Sequence, residues 1–179
     1  ERPIMRIVLY FCLISVGFSM LGCTGIFPKQ EHTSDIEKVV SDAVDFPVLL
    51  YSEDPSATLS MSSSKSDELL FSDFFTQNRP VILHFWAGLC PFCREDIQTM
   101  QVIHETYGDE IIVFGLDVGP LVGLGSVDDG KNLRSESNAT YHMGTTSDKN
   151  VARSFQITGT PTTIVFDITG QPMGVWNGM

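Results

Sequence analysis

Trp86-Ala87-Gly88-Leu89-Cys90-Pro91-Phe92-Cys93-Arg94-Glu95 holds two cysteines separated by two residues. The run Val81-Ile82-Leu83-His84-Phe85-Trp86 leads into it, apolar at every position but His84. Beyond it, Ile97, Met100, Ile103 and Tyr107 recur every three or four residues. Sustained apolarity predicts a strand buried on both faces over 81–86, and the later spacing predicts a helix over 91–107. The first cysteine then lies where strand gives way to helix. Free N–H groups and the helix dipole favour negative charge there. A thiolate is stabilised at such a place, and the thiolate is the attacking form. Cys90 is therefore the candidate nucleophile, exposed at the helix start. Cys93, one turn on and more buried, is the candidate resolving thiol.

Trp86-Ala87-x-x-Cys90-Pro91-x-Cys93-Arg94 resembles the active-site segment of thioredoxin-fold proteins, in particular membrane-tethered thiol–disulfide oxidoreductases of the TlpA/ResA type. Downstream, Gly159-Thr160-Pro161-Thr162-Thr163 before the strand-like run 164–167 is similar to that family's second motif. The resemblance covers residue 45 to the end. It implies a thioredoxin-like α/β fold, a central mixed β-sheet flanked by helices, with Pro161 cis and facing the cysteines. It also implies dithiol–disulfide exchange with no bound cofactor, on disulfide-containing or dithiol protein substrates, fed by a membrane electron donor. The direction it implies is reduction, as in cytochrome c maturation. A disulfide oxidant or isomerase is the alternative within the class. A non-catalytic metal-binding module using the same cysteines is the alternative outside it. Family members continue past the last strand into a helix that covers one sheet face, so the resemblance implies a chain truncated at its C-terminus.

Around the pair, Pro91 and Phe92 are expected to set the redox potential, which varies with the intervening residues and surroundings. Pro91 also suits a first helical turn, where its missing N–H costs nothing. Trp86 is expected to pack beside the cysteines and shape their surface. Glu95 and Asp96 complement the helix N-terminus, with proton transfer as a second role for Glu95. His84 stands where thioredoxins carry a buried aspartate. It reads either as a core histidine bonded to backbone or as a group that tunes or deprotonates Cys93. Thr160 and Pro161 offer backbone groups to which an extended substrate pairs as an added strand. No metal site is expected: His32, His84, His104 and His142 are scattered without ligand spacing.

Of the four cysteines, Cys12 and Cys23 lie in and at the end of an apolar leader. A positive charge, a short apolar run and small residues over 5–22 describe a signal peptide. Leu21-Gly22-Cys23-Thr24-Gly25 resembles a bacterial lipobox, which implies lipidation of Cys23 and a polar tether over 23–44. The resulting domain, 45–179, sits outside the cytoplasmic membrane on a lipid anchor, where disulfide chemistry is normal. A formal charge of −11 over 179 residues argues against nucleic acid.

Further elements expected are a strand over 46–51, a serine-rich loop over 56–67 and a helical turn over 72–75. A strand over 111–116, a glycine-rich loop over 119–130 and an inserted helix over 128–137 follow. A helix over 148–155 capped by Asp148, and strands over 162–167 and 173–176, complete the domain.

Overall fold

The computed structural model describes residues 45–51 and 69–178. The leader, Cys23, the tether and the serine-rich loop lie outside the described residues. Seven strands form one mixed sheet in the order β2-β1-β5-β4-β3-β6-β7. They are β1 (Pro47–Leu50), β2 (Leu69–Leu70), β3 (Val81–Trp86), β4 (Ile112–Asp117), β5 (His142–Thr145), β6 (Thr162–Phe166) and β7 (Pro172–Asn177). The helices are a 3-10 helix at Phe71–Gln77, α1 (Cys93–Tyr107), α2 (Gly119–Val122), α3 (Val127–Glu136) and α4 (Val151–Ser154). The thioredoxin-like α/β reading is the observed architecture.

Strand β3 pairs in parallel with β4 and antiparallel with β6. Both neighbours hydrogen-bond it, and all six of its side chains are buried, which explains its continuous apolar character. Period-two alternation divides those side chains between two cores. Val81, Leu83 and Phe85 face a core rich in aromatic rings, shared with the 3-10 helix and α4. Ile82 and Trp86 face the second core, which holds Cys90, Cys93, Ile97 and Met100. By the same alternation His84 lies on the cysteine side.

Phe71 centres the aromatic core. Its ring lies 4.9 Å from Phe46, 5.4 Å from Phe75 and 5.6 Å from Phe166, centroid to centroid. The 3-10 helix that carries it is tied at its start by Leu70 N–H donating to the Asp73 carboxylate at 2.9 Å. At the far end of α1, the Arg79 guanidinium donates to the Gly108 carbonyl at 2.7 Å, satisfying a terminal acceptor of that helix.

The structure moves several expected boundaries. Helix α1 begins at Cys93, not residue 91, and Pro91 and Phe92 form a turn before it. Asp148 does not cap a helix. Its carboxylate accepts the Asn150 N–H at 2.8 Å in a local turn, and α4 starts at Val151. The stretch expected as a loop over 119–130 contains α2 and the first turn of α3. Ser126 and Asp129 form a reciprocal cap there: Asp129 N–H donates to the serine hydroxyl, and Ser126 N–H to the Asp129 carboxylate. Strand β5, His142-Met143-Gly144-Thr145, had no expectation at all. It carries little local signal and is a strand because β4 and β1 pair with it on either side.

Replacing Phe71 by Ala should remove the contacts that join the 3-10 helix to the sheet. The expected cost is about 3–5 kcal/mol of unfolding free energy, read from urea denaturation.

Candidate active site

Cys90 and Cys93 are joined in a disulfide with Cα atoms 5.4 Å apart. Cys93 is the first residue of α1, and its N–H approaches the Cys90 carbonyl at 3.3 Å. Cys90 therefore sits just outside the helix N-terminus. The expectation that it is exposed is corrected: only 6% of Cys90 is accessible and Cys93 is fully buried. The reason is the loop before β6. The Thr160–Pro161 peptide is cis, as the resemblance implied, and the Thr160 carbonyl oxygen lies 3.4 Å from the Cys90 sulfur. Pro161 is buried and Thr160 half-buried. The Pro161 carbonyl is not free to pair with a substrate strand, because it accepts the Gly178 N–H at 2.9 Å.

Trp86 is fully buried and belongs to the core beneath the cysteines. It supports their position and does not shape their surface. The surface falls to Phe92, 54% accessible, and to Leu89, 61% accessible, which sequence reasoning passed over. Leu89 N–H donates to the Leu124 carbonyl at 2.9 Å, so the loop after α2 stands beside the residue preceding Cys90. Glu95 is exposed on the first turn of α1.

His84 is fully buried, and its Nε2 lies 2.8 Å from the Asp96 carboxylate. The carboxylate is off the ring N–H axis, so the contact is one of charge and dipole more than an aligned hydrogen bond. The reading of His84 as bonded to backbone is thus replaced by contact with an acid. Asp96 itself was read only as a complement to the helix N-terminus. Its position three residues after Cys93 puts it on the same helix face, which was the available signal. Its side chain is 19% accessible, so it links the buried histidine to solvent.

A second acid was missed altogether. Asp117, the last residue of β4, pairs in register with Trp86 and is fully buried. Its Oδ2 accepts from the Tyr51 hydroxyl at 2.6 Å, and its Oδ1 accepts from Gly119 N–H at 2.8 Å. Burial pushes its pKa from 3.8 up to about 6, against the two hydrogen bonds that lower it, with the Asp129 charge adding to the rise. The Tyr51 hydroxyl is pushed well up in turn by burial and by the Asp117 charge. A charged residue ending the apolar run 111–116 was the only sequence signal for this pair. Among the described residues no group of three or more His, Cys, Asp or Glu is arranged to hold a metal ion. No helix among them is long and apolar enough to cross a membrane.

Comparison with known proteins agrees with this geometry. A model of the thioredoxin-like domain matches residues 71–179. A thioredoxin-like protein of Synechocystis sp. is 41% identical over 44 residues, a match spanning 25% of this chain and 40% of that protein. Among solved structures, the thioredoxin domain of a thiol-disulfide oxidoreductase from Bacteroides vulgatus superposes with a TM-score of 0.58 at 16% identity. That match covers 76% of this chain and 86% of the other. StoA from Bacillus subtilis gives 0.52 at 15% identity, over 66% and 85% of the two chains. A secreted Mycobacterium tuberculosis disulfide oxidoreductase gives 0.51 at 16%, over 63% and 78%. At these identities the structural matches speak for the fold.

The raised pKa of Asp117 has a signed consequence. An acid that ionises less readily in the folded chain favours folding below its unfolded pKa. That contribution is lost as pH rises from about 4 to about 6. The advantage of Asp117→Asn over the wild type should therefore grow between pH 4 and pH 7, by roughly 3 kcal/mol at most. Urea unfolding of both proteins at the two pH values measures it, and an unchanged difference would contradict the assignment.

Proposed function

The chain belongs to the thioredoxin-like family, and from that premise we propose that it is an extracytoplasmic thiol–disulfide oxidoreductase acting on protein disulfides through Cys90 and Cys93. The observation that carries this reading is the Cys90–Cys93 disulfide set against the cis Thr160–Pro161 loop, with the Cys90 sulfur 3.4 Å from the Thr160 carbonyl. In the dithiol form the Cys90 thiolate attacks a substrate disulfide. One substrate sulfur leaves as thiolate and a mixed disulfide forms. The Cys93 thiolate then attacks the Cys90 sulfur, the second substrate thiolate leaves, and the enzyme disulfide seen here is the product. Two electrons pass to the substrate, and a membrane dithiol donor returns them. Cytochrome c maturation is a process that uses this direction of transfer.

Cys93 is fully buried, so its proton needs a route before it attacks. His84 lies on the Cys93 side of β3, and Asp96 is on the same face of α1 as Cys93, partly open to solvent. This pair is the acceptor in our reading. The leader reading, with a lipidated Cys23 tethering the domain outside the membrane, fits the same compartment.

Three experiments test this. With a disulfide-bonded client, Cys93→Ser should accumulate a mixed disulfide on a non-reducing gel and Cys90→Ser should form none. The reverse pattern would invert the roles. The redox potential of the pair should lie near about −270 mV for a reductant, whereas a value near about −120 mV would mark an oxidant. His84→Ala should slow resolution of the mixed disulfide while sparing the first attack, measured by stopped-flow with a disulfide substrate. Unchanged kinetics of both steps would reduce His84 to packing.

A further inference from the structure

Exchange between Cys90 and Cys93 makes no direct use of Asp117, yet this buried acid has both oxygens occupied. Its backbone carbonyl is held as well, by the Thr145 hydroxyl at 2.9 Å. Two routes lead from its carboxylate to the residues before Cys90. The first is a chain of hydrogen bonds. Asp117 takes the N–H of Gly119, which opens α2. The Gly119 carbonyl accepts Leu124 N–H at 3.0 Å, and the Leu124 carbonyl accepts Leu89 N–H at 2.9 Å. The second route is close packing. A Cβ on Gly88 would stand 2.6 Å from the backbone of Asp129 and Gly130. A Cβ on Gly130 would stand 2.0 Å from Asp117 Oδ2 and 2.7 Å from the Tyr51 hydroxyl oxygen. Gly88 thus rests on the first turn of α3, and that turn rests on the Tyr51–Asp117 pair. Only glycine permits either approach.

We propose that Asp117, anchored by Tyr51, is a positioning residue for the exchange reaction, holding Gly88 and Leu89 and through them the attacking sulfur of Cys90. The proposal rests on Cys90 being the nucleophile. Its chemistry is that of a two-oxygen acceptor: the ionised carboxylate accepts from Tyr51 on Oδ2 and from Gly119 on Oδ1. A protonated one carries an O–H where one of those lone pairs was and competes with the tyrosine hydroxyl. The hold is therefore pH-dependent, with a midpoint near the acid's pKa of about 6. The charged groups facing the pair come from α3: Asp129, whose charge raises Asp117, and Arg134, whose charge acts on Tyr51 in the opposite sense. Lys131 lies 5.9 Å from the centre of the Tyr51 ring. Helix α2, Gly119-Pro120-Leu121-Val122, brings no charge, and the facing β3 and β5 positions are Trp86 and Thr145.

The role is separable from bulk stability, because the buried charge costs stability at neutral pH while it holds the loop. Amide hydrogen exchange on the oxidised protein at pH 7 reads the two apart. Asp117→Ala, which leaves no side-chain acceptor for Gly119 or Tyr51, should lower protection of the Leu89 and Gly119 N–H groups by about tenfold, the scale of one lost hydrogen bond. Protection of the Phe85 and Phe114 amides should be kept. Tyr51→Phe should act in the same direction, and it carries the test if the Asp117 variant does not fold. In the reduced protein, Cys90 alkylation follows the thiol's own ionisation in both proteins, and the wild type should show in addition a second step near pH 6 that is absent from Asp117→Asn. Unchanged Leu89 protection overturns the proposal. So does an equal loss at Phe85 and Phe114, or a second pH step that survives in Asp117→Asn. Failure of the nucleophile assignment itself would appear in the trapping gel, which amide exchange does not touch.

Discussion

The double pairing of β3 is the constraint on which the site depends. Because β6 runs antiparallel to β3 with Phe85 opposite Thr162, the chain enters β6 where it leaves β3. The loop carrying Thr160–Pro161 is thereby laid across the loop carrying Cys90, although 70 residues separate them. Because β4 runs parallel to β3 with Asp117 opposite Trp86, the end of a second strand arrives at the same place. Cysteine pair, cis-proline loop and buried acid meet because three strand ends are in register. No one of these loops contains the instruction to find the others.

The two faces of the sheet do different work. One is packed with phenylalanine rings and holds its stability in dispersion and apolar burial. The other, beneath the disulfide, holds several buried polar groups. His84 and Asp117 are there, and so are the Trp86 indole N–H and the Tyr141 hydroxyl, neither of which has a hydrogen-bond partner among the described residues. Burial and the Asp96 charge both push the Tyr141 hydroxyl upward. Polar groups are kept in a core at a cost in free energy, and here they share the sheet face that holds the disulfide.

The loop between β4 and β5 connects the two roles. Its capped helix α3 reaches α1 through the Arg94–Glu136 ion pair on the surface and reaches Gly88 through direct packing inside. The segment that lengthens this connection is thus also the floor of the loop before Cys90. Leu89 and Leu124, joined by a backbone hydrogen bond, are both exposed there and give the site an apolar rim.

What the amino-acid sequence determined by itself was whatever depends on neighbours in the chain. Six consecutive apolar-run residues declared β3, helical spacing declared α1, and Cys-x-x-Cys at their junction declared the redox pair, with boundaries within two residues of those observed. The second motif at Thr160–Pro161 was legible by resemblance. Tertiary structure decided the rest. His142–Thr145 is a strand only because two others flank it. Cys90 is covered only because a distant loop crosses it. His84 meets Asp96 where α1 packs on β3, and Tyr51 at the end of β1 meets Asp117 across the strand between them. Periodicity records which face a residue turns inward. What it meets there is set by strand register and burial, which are properties of the assembled sheet and not of any one segment.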